Sequence, residues 1–148
     1  MEPSERNEAE EIMEKALFNE MISAEQLDRI VALRPDNVVI LDIRTDMEHK
    51  EGIIPGAQLF PCAHNLENRQ DTSIFSESFG KQFDASLFSK DSQYILICRS
   101  GPRTEIAVEV FLEQELEACE LIGGVMEWKR QGYAIDSAEG AVVHKRAG

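Results

Sequence analysis

The sequence predicts an α/β domain with a mainly parallel sheet, and two patterns support this fold class. Short apolar runs such as VVIL and YILIC have the length of strands that are buried on both faces. Between them, apolar residues recur at helical spacing, as they do from Leu27 to Leu33. Strands that alternate with helices are typical of domains whose sheet is parallel.

Each element has its own signal in the sequence. Capping boxes at Ser23 and Thr45, completed three residues later by Gln26 and Glu48, predict the starts of two helices. Further helices are expected after the fourth and fifth strands. The strands themselves are predicted at residues 21–22, 38–43, 57–60, 94–98 and 118–122.

The chain of 148 residues is long enough for one domain, which the patterns place at residues 19–136. Residues 1–18 are acidic and only weakly amphipathic, which predicts a frayed arm or a short helix outside the main fold. A helix that docks a partner is the alternative for this segment. Residues 137–148 lose the apolar pattern, which predicts a flexible tail.

Composition excludes several classes of function. A net charge of -13 would repel nucleic acids and anionic membranes. The apolar runs are too short to span a membrane, and the acidic N-terminus does not resemble a secretory signal, so we expect a cytoplasmic location. Three widely spaced cysteines indicate neither a disulfide framework nor a metal site.

Cys98 is the candidate nucleophile, because it follows the clearest strand, where parallel sheets bind their ligands. Residues 99–104 then lead into a helix, whose N-terminal N–H groups carry partial positive charge. Arg99 and Arg103 add to that charge, and Gly101 permits a tight turn. Such surroundings favour the thiolate form of a cysteine, which is the nucleophilic form. A merely buried core cysteine, the alternative, would not explain the two arginines.

The loop CRSGPRT resembles the active-site loop of the rhodanese family of sulfurtransferases, and the resemblance extends to three further motifs. VILDIR, which contains Asp42 and Arg44, is similar to the family's strand ending in D-V-R. The family's E-x-x-x-G-H-I-P-G-A segment is similar to Glu48 with GIIPGA, and its closing G-G-x-x-x-W-x-x-x-G element is similar to LIGGVMEWKRQGYAI. The motifs follow one another in the family's order and spacing. The resemblance covers residues 20–136 and implies a rhodanese-like three-layer fold, with a five-stranded sheet between helices.

The resemblance also implies a chemistry. Cys98 would take a sulfane sulfur from a small anionic donor such as thiosulfate, and the resulting persulfide would pass it to cyanide or a thiol, including that of a thioredoxin-like protein. No cofactor and no metal would be needed. Asp42 and Arg44 would support the loop, and the donor-binding residues would be Arg99, Ser100, Gly101, Pro102, Arg103 and Thr104. The alternative is a carrier or regulatory module that acts with a protein partner and has little activity on free thiosulfate.

Loop length favours sulfur over phosphate as the ligand. Four residues separate Cys98 from Arg103, whereas related cysteine-dependent phosphatases have five in the corresponding loop. Two positions depart from the family pattern: Ile53 replaces a common histidine, and Pro102 lacks an N–H group. Of the remaining thiols, we expect Cys119 to be inert, and a role for Cys62 in resolving the persulfide is left open.

Overall fold

Five parallel strands form the centre of the protein in a computed structural model that describes residues 2–62 and 72–145. They lie in the order β1-β5-β4-β2-β3, and every neighbouring pair is parallel. The predicted five-stranded sheet is thereby confirmed. The strands are β1 (Met21–Ile22), β2 (Val38–Asp42), β3 (Gln58–Leu59), β4 (Gln93–Ile97) and β5 (Glu117–Leu121).

Helices cover both faces of the sheet and complete the three layers. They are α1 (Pro3–Asn19), α2 (Ala24–Leu33), α3 (Asp46–Lys50), α4 (Thr72–Gln82), α5 (Pro102–Glu113) and α6 (Gly124–Arg130), with a short 3-10 helix at Ala85–Leu87. Helices α1, α2 and α6 pack on the face that carries Ile95 and Cys119, whereas α4 and α5 pack on the face that carries Leu96 and Ala118. Within the described ranges, no helix is long and apolar enough to cross a membrane.

The two predicted capping boxes are both present. The Ser23 hydroxyl accepts a hydrogen bond from the Gln26 N–H at the start of α2. At the start of α3, the Thr45 hydroxyl accepts one from the Glu48 N–H. Each glutamine or glutamate side chain completes its box by accepting from the N-cap N–H. Helix α3, which is only five residues long, therefore begins at a well-defined position next to the end of β2.

The first helix differs from the predicted arm at residues 1–18. Helix α1 has 17 residues and packs against α2, β1 and β5, so it belongs to the main fold. Its buried stripe consists of Ala9, Met13 and Ala16. Two of these three residues are alanines, which contribute little to an apolar pattern, and this is why the sequence understates the packing.

The C-terminal segment also differs from the flexible tail predicted at residues 137–148, of which 146–148 lie outside the described residues. The Leu59 N–H donates to the Val142 carbonyl oxygen at 2.8 Å, and the His144 N–H donates to the Leu59 carbonyl oxygen at 2.8 Å. The segment therefore pairs with the outer side of β3. An edge strand offers unpaired backbone groups to any extended segment, and this pairing needs no apolar pattern.

Three of the sequence motifs meet at the carboxyl edge of the sheet. Cys98 directly follows β4, Asp42 ends the neighbouring β2, and Gly123 and Gly124 follow β5 on the other side. Because all strands are parallel, these ends lie side by side. The carboxyl edge is therefore where the candidate site is found.

Candidate active site

Cys98 lies between β4 and α5, and its side chain is 0% exposed. Its Sγ atom accepts a hydrogen bond from the Gly101 N–H at 3.0 Å and lies 3.7 Å from Thr104 Oγ1. A backbone N–H group that donates to a sulfur atom stabilises negative charge on that atom. The loop can therefore hold negative charge on a sulfur atom.

Gly101, Pro102 and Thr104 give the loop its tight shape. Gly101 has a φ of +130°, which side chains rarely permit. The Thr104 hydroxyl donates to the Gly101 carbonyl oxygen at 2.8 Å, so its proton closes the turn rather than pointing at the sulfur. Pro102 is exposed and begins α5, a position at which an N–H would have no partner within the helix. The proline thus costs α5 no hydrogen bond and stiffens the loop.

The first turn of α6 fixes the backbone of the loop. The Val125 N–H donates to the Cys98 carbonyl oxygen at 2.9 Å, and the Met126 N–H donates to the Arg99 carbonyl oxygen at 3.0 Å. A Cβ atom at Gly124 would lie 2.5 Å from the Cys98 carbonyl oxygen, so this contact requires glycine. The double-glycine motif after β5 therefore brings α6 against the reactive loop.

Arg103 points into the protein, where it forms a bidentate ion pair with Glu48. Nη1 lies 2.6 Å from Oε1 and Nη2 lies 2.8 Å from Oε2, with both side chains at most 2% exposed. Burial acts to raise the pKa of Glu48, but the hydrogen bonds and charge of Arg103 outweigh it and lower that pKa below its ordinary value. The sequence grouped Arg103 with the donor-binding residues, whereas its guanidinium here holds the loop against α3.

Asp42 and Arg44 form a second buried ion pair near the end of β2. Arg44 Nη2 lies 2.8 Å from Asp42 Oδ2 and also donates to the Gly52 carbonyl oxygen at 2.7 Å. His49 Nε2 lies 3.2 Å from Asp42 Oδ1. Burial acts to raise the pKa of Asp42, but the His49 hydrogen bond and the Arg44 charge lower it to about 2. This group ties α3 to β2.

Sequence reasoning did not single out His49, and it assigned Glu48 only to the helix cap and to the family motif. In sequence, both belong to a short charged helix that resembles a solvated surface. Their roles depend on which side chains face inward at the junction of two strands. A mixed pattern of charges in five residues does not contain that information.

Arg99 is the loop arginine that remains available to a ligand. Its side chain is half-buried and, within residues 2–62 and 72–145, makes no hydrogen bond or ion pair. Ser100 next to it is likewise half-buried at the mouth of the loop. A guanidinium in such a place can pair with an anionic group that reaches the sulfur.

The other two cysteines are buried thiols. Burial raises the pKa of Cys62 far above its ordinary value, and its Sγ donates to the Phe60 carbonyl oxygen at 3.2 Å. Burial, with a smaller contribution from the Glu120 charge, raises the pKa of Cys119 to about 12. Cys62 lies three residues beyond β3 and packs in the same apolar cluster as Cys98. Its role as a resolving thiol stays a prediction.

Carboxylates lie beside the loop on its β5 side. Glu120 pairs with Leu96 in the sheet and so shares a face with Cys98, which lies two residues after Leu96. Burial raises the pKa of Glu120 to about 7, with further contributions from the negative charges of Glu105 and Glu20. Glu120 is therefore only partly ionised near neutral pH.

Together, the parallel sheet and the cysteine loop between β4 and α5 define a class of α/β domain whose chemistry resides at the carboxyl edge. The rhodanese-like domain family matches residues 23–131, and the chain belongs to this family. The match begins at the end of β1, so α1 and the C-terminal segment lie outside it.

Individual relatives agree with this assignment. A protein from Allochromatium vinosum named sulfurtransferase is 31% identical over 120 residues, which cover 80% of this chain and 96% of that protein. The crystal structure of a rhodanese-like domain protein from Staphylococcus aureus has 26% identity and a TM-score of 0.58, covering 79% of this chain and 98% of that one. A thiosulfate sulfurtransferase from Pseudomonas aeruginosa shares the fold, with a TM-score of 0.62 and 18% identity over 90% of this chain and 24% of that one. The family and the first relative support a sulfurtransferase role.

Replacing Glu48 by Gln is expected to lower the free energy of unfolding by about 3 to 5 kcal/mol, because it leaves the Arg103 charge buried without its partner. Urea denaturation measures this change. The matched control is Glu77→Gln, which breaks an exposed pair with Lys81 and should cost less than about 1 kcal/mol. Equal effects of the two substitutions would contradict the importance of the buried pair.

Replacing Glu120 by Gln should raise stability at pH 8 but hardly change it at pH 5. The folded pKa of about 7 lies above the ordinary 4.5, so the contribution of Glu120 to stability is present below about pH 4.5 and is lost as pH rises through about 7. For a half-exposed group we expect a gain of about 1 kcal/mol at pH 8. Urea denaturation at both pH values, with the exposed Glu109→Gln as control, measures it. A gain of the same size at pH 5 would contradict this prediction.

Proposed function

We propose that this chain is an enzyme that moves a sulfane sulfur from a small anionic donor such as thiosulfate to cyanide or a thiol, through a persulfide on Cys98. The placement of the Cys98 sulfur carries this proposal. It lies at the end of β4 and accepts the Gly101 N–H at 3.0 Å. The loop has only four residues between Cys98 and Arg103, a size that suits one sulfur atom better than a phosphate.

In the first step, the Cys98 thiolate attacks the outer sulfur of thiosulfate. The S–S bond of the donor breaks, and its electron pair leaves with sulfite, while the outer sulfur stays on Cys98 as an anionic persulfide. In the second step, cyanide or a thiolate attacks that outer sulfur. The bond to Cys98 then breaks, and its electron pair restores the thiolate.

The loop residues have distinct parts in this proposal. Arg99 pairs with the sulfite half of the donor, because it directly follows Cys98 and its half-buried side chain is not engaged with another described side chain. The Gly101 N–H stabilises the anionic sulfur. Arg103 is a positioning residue, since it acts on the loop through Glu48. Ser100, Pro102 and Thr104 shape the entrance and the turn.

A second candidate function is a sulfur carrier that exchanges sulfur with a protein partner and turns over free thiosulfate slowly. Two observations favour it. The Cys98 side chain is fully buried, and the net charge of -13 slows the approach of a dianion. Both functions use the same persulfide and differ in the donor or acceptor that the loop accepts.

Incubation with thiosulfate should add the mass of one sulfur atom to the protein, and Cys98→Ser should abolish this gain. Intact mass spectrometry measures it directly. Cys119→Ser, which changes a buried thiol on the other face of the sheet, is the matched control and should retain the gain. If no donor, thiosulfate or a small persulfide, ever adds sulfur to Cys98, the enzyme and the carrier are both wrong.

Replacing Arg99 by Ala should raise the KM for thiosulfate about tenfold, because a charge-assisted hydrogen bond to the donor is lost. Arg99→Lys should recover part of this loss, since it restores the charge without the planar guanidinium. Steady-state assays of sulfite release provide the measurement, with the exposed Arg6→Ala on α1 as control. An unchanged KM in Arg99→Ala would show that another group meets the donor.

A further inference from the structure

Three exposed apolar side chains lie beside the Cys98 loop and form what we call the β5 patch. Each of them is nearly half exposed, although large apolar side chains are usually buried. They belong to β1, to the turn after β5 and to the first turn of α6. The residues of the β5 patch are Met21 (47% exposed), Ile122 (46%) and Met126 (49%).

The β5 patch is attached to the reactive loop through the backbone. The Met126 N–H donates to the Arg99 carbonyl oxygen at 3.0 Å. Ile122 lies two residues before Gly124, which is in close contact with the Cys98 carbonyl. Met21 pairs with Glu120 in the sheet and therefore shares the sheet face of Cys98. A molecule that covers the patch would thus also cover the mouth of the loop.

Three carboxylates lie near the β5 patch. Glu20 immediately precedes Met21, Glu120 lies on β5, and Glu105 lies in the first turn of α5. These carboxylates are close enough to perturb one another, as the raised pKa of Glu120 indicates. Lysine or arginine side chains on a partner would relieve this repulsion.

We propose that the β5 patch docks a thiol-bearing protein whose cysteine lies in an apolar segment flanked by lysine or arginine residues. The apolar segment covers Met21, Ile122 and Met126, and the basic residues pair with the carboxylates. The partner's thiol then faces the Cys98 loop. This inference rests on the proposed function, for which it names the acceptor.

The transfer step is balanced without another reactant. The partner thiolate attacks the outer sulfur of the Cys98 persulfide and forms a new S–S bond. The bond between that sulfur and Cys98 Sγ breaks, and its electron pair returns to Cys98 as the thiolate. The partner leaves as a persulfide, and no net oxidation occurs.

A docked protein is a better acceptor for this site than a free small thiol. The Cys98 side chain is fully buried, so an acceptor must be held at the loop long enough to enter it. Apolar burial on the patch provides that residence, and the two methionines can adapt to the shape of the partner. The net charge of -13 also attracts a basic partner and increases its rate of association at low salt.

Two synthetic cysteine peptides can test the docking surface with the full chain. One peptide places its cysteine among leucines flanked by lysines, and the other replaces the lysines with glutamates. The protein is first loaded with sulfur from thiosulfate or a small persulfide. Mass spectrometry then follows the loss of sulfur from Cys98 to each peptide and to N-acetylcysteine. Each rate is divided by the rate at which the same thiol attacks a small disulfide, which corrects for its intrinsic reactivity.

The lysine peptide should react at least tenfold faster than the glutamate peptide at low salt, and added salt should reduce this difference. Ile122→Gln and Met126→Gln should each lower the ratio of the lysine-peptide rate to the N-acetylcysteine rate at least fivefold. The control Leu112→Gln removes an apolar side chain that is 39% exposed near the other end of α5, and it should leave this ratio unchanged. Urea midpoints check that all three variants remain folded.

Two failures can be distinguished. If sulfur is never loaded on Cys98, the proposed function is overturned, and this inference falls with it. If Cys98 loads sulfur but the normalised rates of the two peptides are equal, or the patch variants match Leu112→Gln, only the docking surface is overturned.

Discussion

The bidentate ion pair between Arg103 and Glu48 is the interaction on which the candidate site depends. It joins the loop after β4 to α3 after β2, and both of its members are buried. Helix α3 has only five residues, too few to be stable by itself. The Glu48 carboxylate both caps this helix and holds Arg103, while His49 ties the same helix to Asp42. Loss of the contact between Glu48 and Arg103 would leave a buried charge without its partner.

This internal use of Arg103 determines how the loop can treat an anion. The Arg103 guanidinium is paired with Glu48, and the half-buried Arg99 is the loop cation that remains for a ligand. Around the loop, the chain is strongly acidic. The local and the global fields therefore oppose each other, so a small dianion is attracted only at short range. A basic protein surface is attracted by the global field and by the carboxylates of Glu20, Glu105 and Glu120.

Two segments outside the family match pack on the sheet. Helix α1 packs against β1 and β5 on one face, and the C-terminal segment pairs with the edge strand β3. Both edge strands are only two residues long, and short edges resist pairing with other chains. The exposed apolar side chains beside the Cys98 loop remain open to a partner.

The sequence by itself determined the strand and helix order, both capping boxes and the position of Cys98, because apolar periodicity and cap residues are local signals. The family motifs added the number of strands. Only the tertiary structure decided that Arg103 faces Glu48 rather than the solvent and that His49 reaches Asp42. It also decided that α1 and the C-terminal segment up to residue 145 pack on the domain. These outcomes depend on contacts between residues far apart in sequence, or on small and polar side chains whose burial leaves no periodic pattern. Local chemistry located the thiol, and long-range packing decided which charges remain free to act on it.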